Sequence, residues 1–185
     1  TDDRGKEWVI EVLEFMRDRL ADFQEETGNF YNLEATPAEG CTYSLAKKDL
    51  EQYPEIITQG TEDAPYYTNS CHMPVYEVED VEQLVSHQDD LQVLFTGGTV
   101  VHLYLDGPIS GKMAKHTVKT VCEGYRLPYL SISPINAFCD VHGMVDHDGG
   151  RCRLCGGEVE LYQRVTGYIR KVRYFNRGKK SEFRD

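Results

Sequence analysis

This 185-residue chain has no apolar run near the roughly 20 residues a membrane-spanning helix needs. It has no basic excess: 20 Lys and Arg stand against 31 Asp and Glu, a net charge of −11. That balance argues against a partner that is a nucleic-acid polymer, whose phosphates call for a basic face. It leaves room for a nucleotide, because a helix N-terminus and a few local cations can hold phosphates in an acidic protein. No signal-peptide pattern precedes Trp8, since Thr1 to Trp8 are polar and charged. The chain opens on Thr rather than Met and is expected to be a fragment or processed piece. It contains no internal repeat and no low-complexity linker.

What is present fits a folded domain, with 40% apolar and 11% aromatic residues. The acidity spreads over Asp2–Glu25, Glu77–Asp90 and Asp140–Asp148, while basic residues gather from Arg164 to Arg184. Val9, Leu13, Met16, Leu20 and Phe23 recur at helical spacing, which predicts a helix over 6–24 ended by Thr27-Gly28-Asn29. A short strand is expected at Phe30–Glu34. Thr36-Pro37-Ala38-Glu39 has the cap, first-turn proline and returning glutamate of a helix start, predicting a helix to about Leu50. Extended segments are expected at Tyr66–Ser70, Met73–Val75 and Leu127–Ile135. Helices are expected at Val78–Phe95, broken near His87-Gln88, and at Ile109–Gly124, with a strand at Val100–Leu105 between them. A strand, Glu158–Tyr162, follows the Cys/His segment. The pattern is α/β, with a body over 1–135 and a tail of different character over 136–185.

Six cysteines could form three disulfides in a secreted protein. Here Cys139-Asp-Val-His142 and Cys152-Arg-Leu-Cys155 are two tight knuckles separated by nine residues. Zinc takes four tetrahedral nitrogen and sulfur ligands, which two facing knuckles supply. Four protein ligands leave no open coordination position, so the predicted Zn2+ is structural. Metal-bound thiols point to a reducing, cytoplasmic compartment. His72 and His147 lie outside the pattern and read as ordinary histidines.

Beyond the knuckles comes Gln163-Arg164-Val165-Thr166-Gly167-Tyr168-Ile169-Arg170. Here the sequence resembles the C-terminal part of anaerobic (class III) ribonucleoside-triphosphate reductases, which carry a zinc ribbon followed by an Arg-Val-Thr-Gly-Tyr or Arg-Val-Cys-Gly-Tyr stretch. Phe175–Phe183 resembles the family's closing segment. Tyr31-Asn32-Leu33-Glu34-Ala35-Thr36-Pro37-Ala38-Glu39-Gly40, Tyr66-Tyr67-Thr68-Asn69-Ser70, Thr96-Gly97-Gly98-Thr99-Val100 and Ser131-Ile132-Ser133-Pro134 resemble family motifs in the same order.

The resemblance implies the C-terminal part of a ten-stranded glycyl-radical-enzyme α/β barrel plus a small zinc ribbon. It implies that Gly167 bears an organic radical, installed by an activating enzyme that uses S-adenosylmethionine and an iron–sulfur cluster. A Cα radical is delocalised over the flanking amides when the backbone is planar, and a side chain would hinder that planarity. A plain turn is the other reading of Gly167. The resemblance also implies that Thr36, Pro37, Ala38 and Gly40 receive the phosphates of a ribonucleoside triphosphate. Glu39 either caps its own helix or contacts the ribose, and Asn32, Asn69 and Ser70 are further pocket candidates. Cys41, Cys71 and Cys122 read as free cysteines, with a Cys41/Cys71 redox pair as the alternative.

The cysteine that would carry the transient thiyl radical has no counterpart in this chain. The missing N-terminal part of the reductase is therefore an expected partner, from the same gene or a split one, with formate or a redoxin as reductant and a homodimer as the complete form. Alone, the chain is expected to be inactive. The competing reading is a zinc-ribbon interaction module without catalysis.

Overall fold

The computed structural model describes residues 3–36, 40–166 and 168–185, with only the backbone at Val165 and Thr166. The chain begins with helices α1 (Asp3–Thr27) and α2 (Thr42–Gln52), then strands β1 (Gln59–Thr61) and β2 (Ala64–Tyr66). Helix α3 (Val81–Gln92), strand β3 (Val101–Leu105), helix α4 (Gly111–Gly124) and strand β4 (Leu130–Pro134) form the middle. The last third holds β5 (Asn136–Cys139), β6 (Gly143–Val145), β7 (His147–Asp148), β8 (Arg151–Cys152), β9 (Glu160–Thr166), β10 (Tyr168–Lys171) and α5 (Arg177–Glu182).

These elements fall into two compact units. The first comprises Thr1–Pro37, Thr68–Val101 and Thr117–Ser131. In it α1 packs on α3 along one apolar side, and Leu13, Val85, Leu91 and Val121 are buried. Polar pins hold the same pair: Lys6 Nζ donates to Asp90 at 2.9 Å and Arg17 to the Leu94 carbonyl at 2.8 Å. Asp80 caps α3 by accepting from Gln83 N at 2.8 Å.

Helix α3 runs unbroken, so the expected interruption at His87-Gln88 is corrected. The polar residues there turn inward. Gln88 is 1% exposed and donates to the Cys71 carbonyl at 3.0 Å. Gln92 is fully buried and donates to Gln88 Oε1 at 2.9 Å and to the Val100 carbonyl at 3.1 Å. Buried amides with partners are compatible with a continuous helix; their polarity mimicked a loop.

Two further expectations shift. The strand at Phe30–Glu34 shrinks to one bridge, Glu34 beside Gly97, and Phe30 is exposed. The helix expected from Pro37 begins instead at Thr42, after a turn at Gly40-Cys41, with Leu45 N donating to the Cys41 carbonyl at 2.9 Å. A glycine at position 40 costs about 1 kcal/mol inside a helix, which favours starting after it.

The second unit comprises Ala38–Tyr67, His102–His116 and Ile132–Asp185. Its main sheet is antiparallel with order β10-β9-β5-β6. The β1–β2 hairpin carries α2 and α5 against it, around the buried Ala46 and Tyr66. Gly178 is required in α5: a Cβ there would stand 2.8 Å from Tyr43 Cβ and 3.0 Å from the Pro65 carbonyl oxygen. Strand β3 pairs with β4. Val101 N bonds Tyr129 O at one end and Ile135 N bonds Leu105 O at the other, which makes the strands parallel with α4 as the crossover. Among the described residues no helix is long and apolar enough to cross a membrane.

Candidate metal centre and its hairpin

The first knuckle leaves β5 at Cys139 and re-enters the sheet at Gly143 in β6; the two residues are directly paired. Gly143 takes φ 71°, a left-handed turn that a side chain would strain. The second knuckle leaves β8 at Cys152 and closes at Gly156, φ 72°, whose N donates to the Cys152 carbonyl at 2.8 Å. Cys152 N donates in turn to the Gly157 carbonyl at 2.8 Å. Backbone bonds and two glycines thus bend both segments toward one point.

At that point the side-chain donor atoms of Cys139, His142, Cys152 and Cys155 all lie within 4.8 Å of one another. Cys139 Sγ is 3.7 Å from Cys155 Sγ, and His142 Nδ1 is 3.6 Å from both Cys139 Sγ and Cys152 Sγ. Zinc–sulfur bonds of about 2.3 Å and zinc–nitrogen bonds of about 2.05 Å at tetrahedral angles place sulfurs about 3.8 Å apart and sulfur and nitrogen about 3.6 Å apart. The three separations fit that tetrahedron. They do not fit a disulfide, whose sulfurs sit about 2.05 Å apart.

The electrostatics suit thiolate ligands. Backbone N–H groups of Val141 and His142 hold the Cys139 thiol below its usual range. Burial pushes Cys152 up, but the N–H groups of Cys155 and Leu154 outweigh it and bring that thiol down. The Gly157 N–H draws Cys155 down, yet the neighbouring sulfurs of Cys152 and Cys139 leave it raised on balance. Three crowded sulfurs resist carrying charge together, and a divalent cation among them removes that conflict.

From the knuckles β9 runs outward and β10 returns. Thr166 and Tyr168 are paired residues of the two strands, and Gly167, between them in sequence, lies outside the described residues. The base of the hairpin is pinned. Glu160 Oε2 meets Lys171 Nζ at 3.4 Å and Arg173 Nη1 at 3.0 Å, and Lys171 sits 5.6 Å over the Tyr162 ring. Gln163, 3% exposed, donates to the Ser133 carbonyl at 3.3 Å and accepts from Arg164 N at 2.7 Å. Tyr168 and Ile169 at the other end are 78% and 67% exposed. Sequence reasoning did not single out Gln163; a lone amide at an inward strand position was its only signal.

Of the other predicted residues, Thr36 is exposed and outside any helix, and Gly40 is an exposed turn residue whose carbonyl accepts from Asn176 Nδ2 at 3.5 Å. Pro37, Ala38 and Glu39 lie outside the described residues. Two of the quoted motifs do touch: Thr96 N and Oγ1 both donate to the Leu33 carbonyl, and Ala35 N donates to the Gly97 carbonyl at 3.0 Å. Gly98 permits this approach, since a Cβ on it would stand 2.5 Å from the Ala35 carbonyl oxygen. In the third motif Ser70 holds φ 52°, a left-handed backbone beside the buried Asn69. Cys41 and Cys122 are exposed, and Cys71 is half-buried, its thiol pushed up by that burial.

A sequence model of anaerobic ribonucleoside-triphosphate reductase matches residues 1–185, the full chain. The chain belongs to this family. A reductase of that name from Enterobacteria phage T4 is 27% identical over 192 residues, covering 96% of this chain and 31% of the relative. The Haemophilus influenzae reductase is 28% identical over 203 residues, covering 98% and 27%. The fold is that of solved anaerobic ribonucleotide reductases. The Thermotoga maritima enzyme in complex with dATP and CTP superposes with TM-score 0.71 at 23% identity, over 94% of this chain and 27% of that one. A further anaerobic ribonucleotide reductase reaches TM-score 0.74 at 24% identity, over 98% and 28%. The α/β expectation agrees with these neighbours. The chain spans about a quarter to a third of the length of the curated relatives it matches.

Proposed function

We propose that this chain is the C-terminal portion of an oxygen-sensitive glycyl-radical enzyme that reduces ribonucleoside triphosphates to deoxyribonucleoside triphosphates. The observation that carries the reading is membership of the reductase family over all 185 residues, with Arg164-Val165-Thr166-Gly167-Tyr168 following a four-ligand Cys/His centre. In this reading 1–135 is part of a ten-stranded glycyl-radical-enzyme barrel, and 136–185 is the zinc ribbon with the radical loop.

Cys139, His142, Cys152 and Cys155 would hold Zn2+, which supplies cross-linking and no catalysis, because four protein ligands fill its tetrahedron. The ribbon's own residues do the positioning. The Glu160–Lys171–Arg173 cluster and the Gln163–Ser133 bond fix the base of β9 and β10, so the paired ends at Thr166 and Tyr168 project from a rigid support. The exposure of Tyr168 and Ile169 supports a hairpin end that a larger body covers. A radical needs such cover, since bulk water and oxygen would quench it.

Gly167 is the residue that stores the radical, generating a thiyl radical on a cysteine this chain lacks. Thr36, Pro37, Ala38 and Gly40 receive the substrate phosphates, with Glu39 toward the ribose. The partners are the remaining part of the reductase, an activating enzyme using S-adenosylmethionine and an iron–sulfur cluster, and formate or a redoxin as reductant. The complete enzyme is a cytoplasmic homodimer acting in deoxyribonucleotide supply for DNA replication.

The test is paramagnetic resonance after anaerobic activation in the presence of the complementary part. Removing one α-hydrogen from glycine leaves one, so the signal is a doublet, and α-deuterated glycine collapses it. Gly167→Ala removes the signal. A doublet that survives Gly167→Ala sinks the assignment.

A further inference from the structure

The four donors of the metal centre, all within the second unit, are not equally covered. Cys139 and Cys152 are each 2% exposed, whereas His142 and Cys155 stand on the exposed side. The residues that follow Cys155 leave its sulfur open. Gly156 and Gly157 have no side chains, and a Cβ on Gly157 would stand 3.4 Å from Cys155 Sγ. One sulfur of the three therefore meets solvent, and the buried Cys139 Sγ lies 3.7 Å behind it. A cysteine that holds a metal is a thiolate, and oxidants select thiolates that are exposed and have a second sulfur beside them.

We propose that the four-donor centre is a reversible peroxide switch, in which Cys155 is the sulfur attacked and Cys139 the sulfur that resolves it. The inference rests on the functional reading above for its metal, and adds a regulation to that site. The Cys155 thiolate attacks one oxygen of hydrogen peroxide. The O–O bond breaks, a sulfenic acid forms and hydroxide leaves. The Cys139 thiolate then attacks the Cys155 sulfur, an S–S bond forms as the S–O bond breaks, and a second hydroxide leaves. Two thiolates have lost two electrons and the peroxide has gained two.

The step needs little movement, since a disulfide of about 2.05 Å closes a gap that already stands at 3.7 Å. It leaves His142 and Cys152 as the remaining donors, half of the set a structural zinc requires, and the metal is released. The consequence travels along the sheet. Cys139 ends β5, and β5 pairs with β9 through Phe138 and Glu160. Strand β9 leads to Thr166, the neighbour of Gly167. Val141, Met144 and Leu154 are exposed, so no apolar packing by these side chains replaces the lost metal. Oxidation thus loosens the support of the radical segment without cutting the chain, and a thiol reductant with zinc restores it.

The test uses the full zinc-loaded chain, without activation and without oxygen, and hydrogen peroxide as the probe. A chromophoric chelator is expected to report one zinc released per peroxide consumed, with two thiols lost. Peptide mapping should find Cys139 joined to Cys155, and dithiothreitol with zinc should restore the metal. Gly157→Val keeps all four ligands and covers the open sulfur, so release slows at least threefold. Cys155→His offers four donors with no exposed thiol, and release slows at least tenfold. Changing the other exposed thiols, Cys41→Ser with Cys122→Ser, leaves the rate as it was. The map of the unsubstituted chain decides the matter even where a variant fails to take up zinc. Zinc retained while Cys41 and Cys122 oxidise overturns the inference and leaves the functional reading intact. So does a disulfide that omits Cys155, or a release that dithiothreitol and zinc do not reverse. A chain that binds no zinc overturns the inference together with the metal assignment in the functional reading.

Discussion

The knuckle region and the helical body are held together by opposite means. Between Cys139 and Gly157 few side chains are buried apart from two ligand cysteines, and Val141, Met144 and Leu154 stand exposed. Order there comes from short backbone bonds, positive-φ glycines and four donor atoms around one point. In the first unit it comes from buried Leu13, Val85, Leu91 and Val121, pinned by the Gln88–Gln92 amides. The comparison teaches where each part is fragile: the knuckle region depends on its four-donor centre, the body on packing.

The largest expected effect is therefore metal removal. Structural zinc is worth roughly 10 kcal/mol or more in small domains that lack their own core. Chelation, or Cys152→Ser, is predicted to unfold 139–157 and to free its amides to exchange, while the helical signal of α1 and α3 persists. If those amides stay protected without metal, the contrast between the regions fails. Next in size, Leu91→Ala in the body is expected to cost about 3 kcal/mol by leaving a cavity. It should lower the denaturant midpoint of the helical signal and leave zinc content unchanged.

Smaller again is Gln92→Ala, expected to cost about 1–3 kcal/mol because it strips partners from Gln88 and the Val100 carbonyl inside the fold. The smallest effect is set by pH. Burial, with help from the Lys6 charge, holds His87 below the usual histidine range. A base with a depressed folded-state value makes the unfolded chain the better proton acceptor. Stability is then complete above the unfolded value of about 6.5 and is lost as pH falls below it. Urea titrations from pH 7.5 to 5.5 should show this decline, reduced in His87→Gln.

How much the sequence disclosed follows the same division. The knuckles were legible because two short Cys/His pairs are a ligand pattern, and the structure gathers their four donor atoms within 4.8 Å of one another. The outlines of α1, α3, β3, α4 and β4 were legible from apolar periodicity. The break at His87-Gln88 was misread because buried, partnered amides look like surface in a sequence. The β1–β2 hairpin was missed since Gly60 and Pro65 argue against strands; Gly60 is tolerated because it takes φ 79° where a Cβ would sit 2.4 Å from the Ala64 carbonyl oxygen. Helix α5 has no apolar repeat and depends on its Asn176 cap, whose side chain accepts from Lys179 N at 2.8 Å.

Oxygen exposure of the activated assembly tests the central claim most directly. A radical at Gly167 reacts with oxygen and breaks the backbone there, so mass spectrometry should find this chain shortened by its last 19 residues, 167–185. An intact chain, after an activation that produced a radical elsewhere in the assembly, would contradict the account.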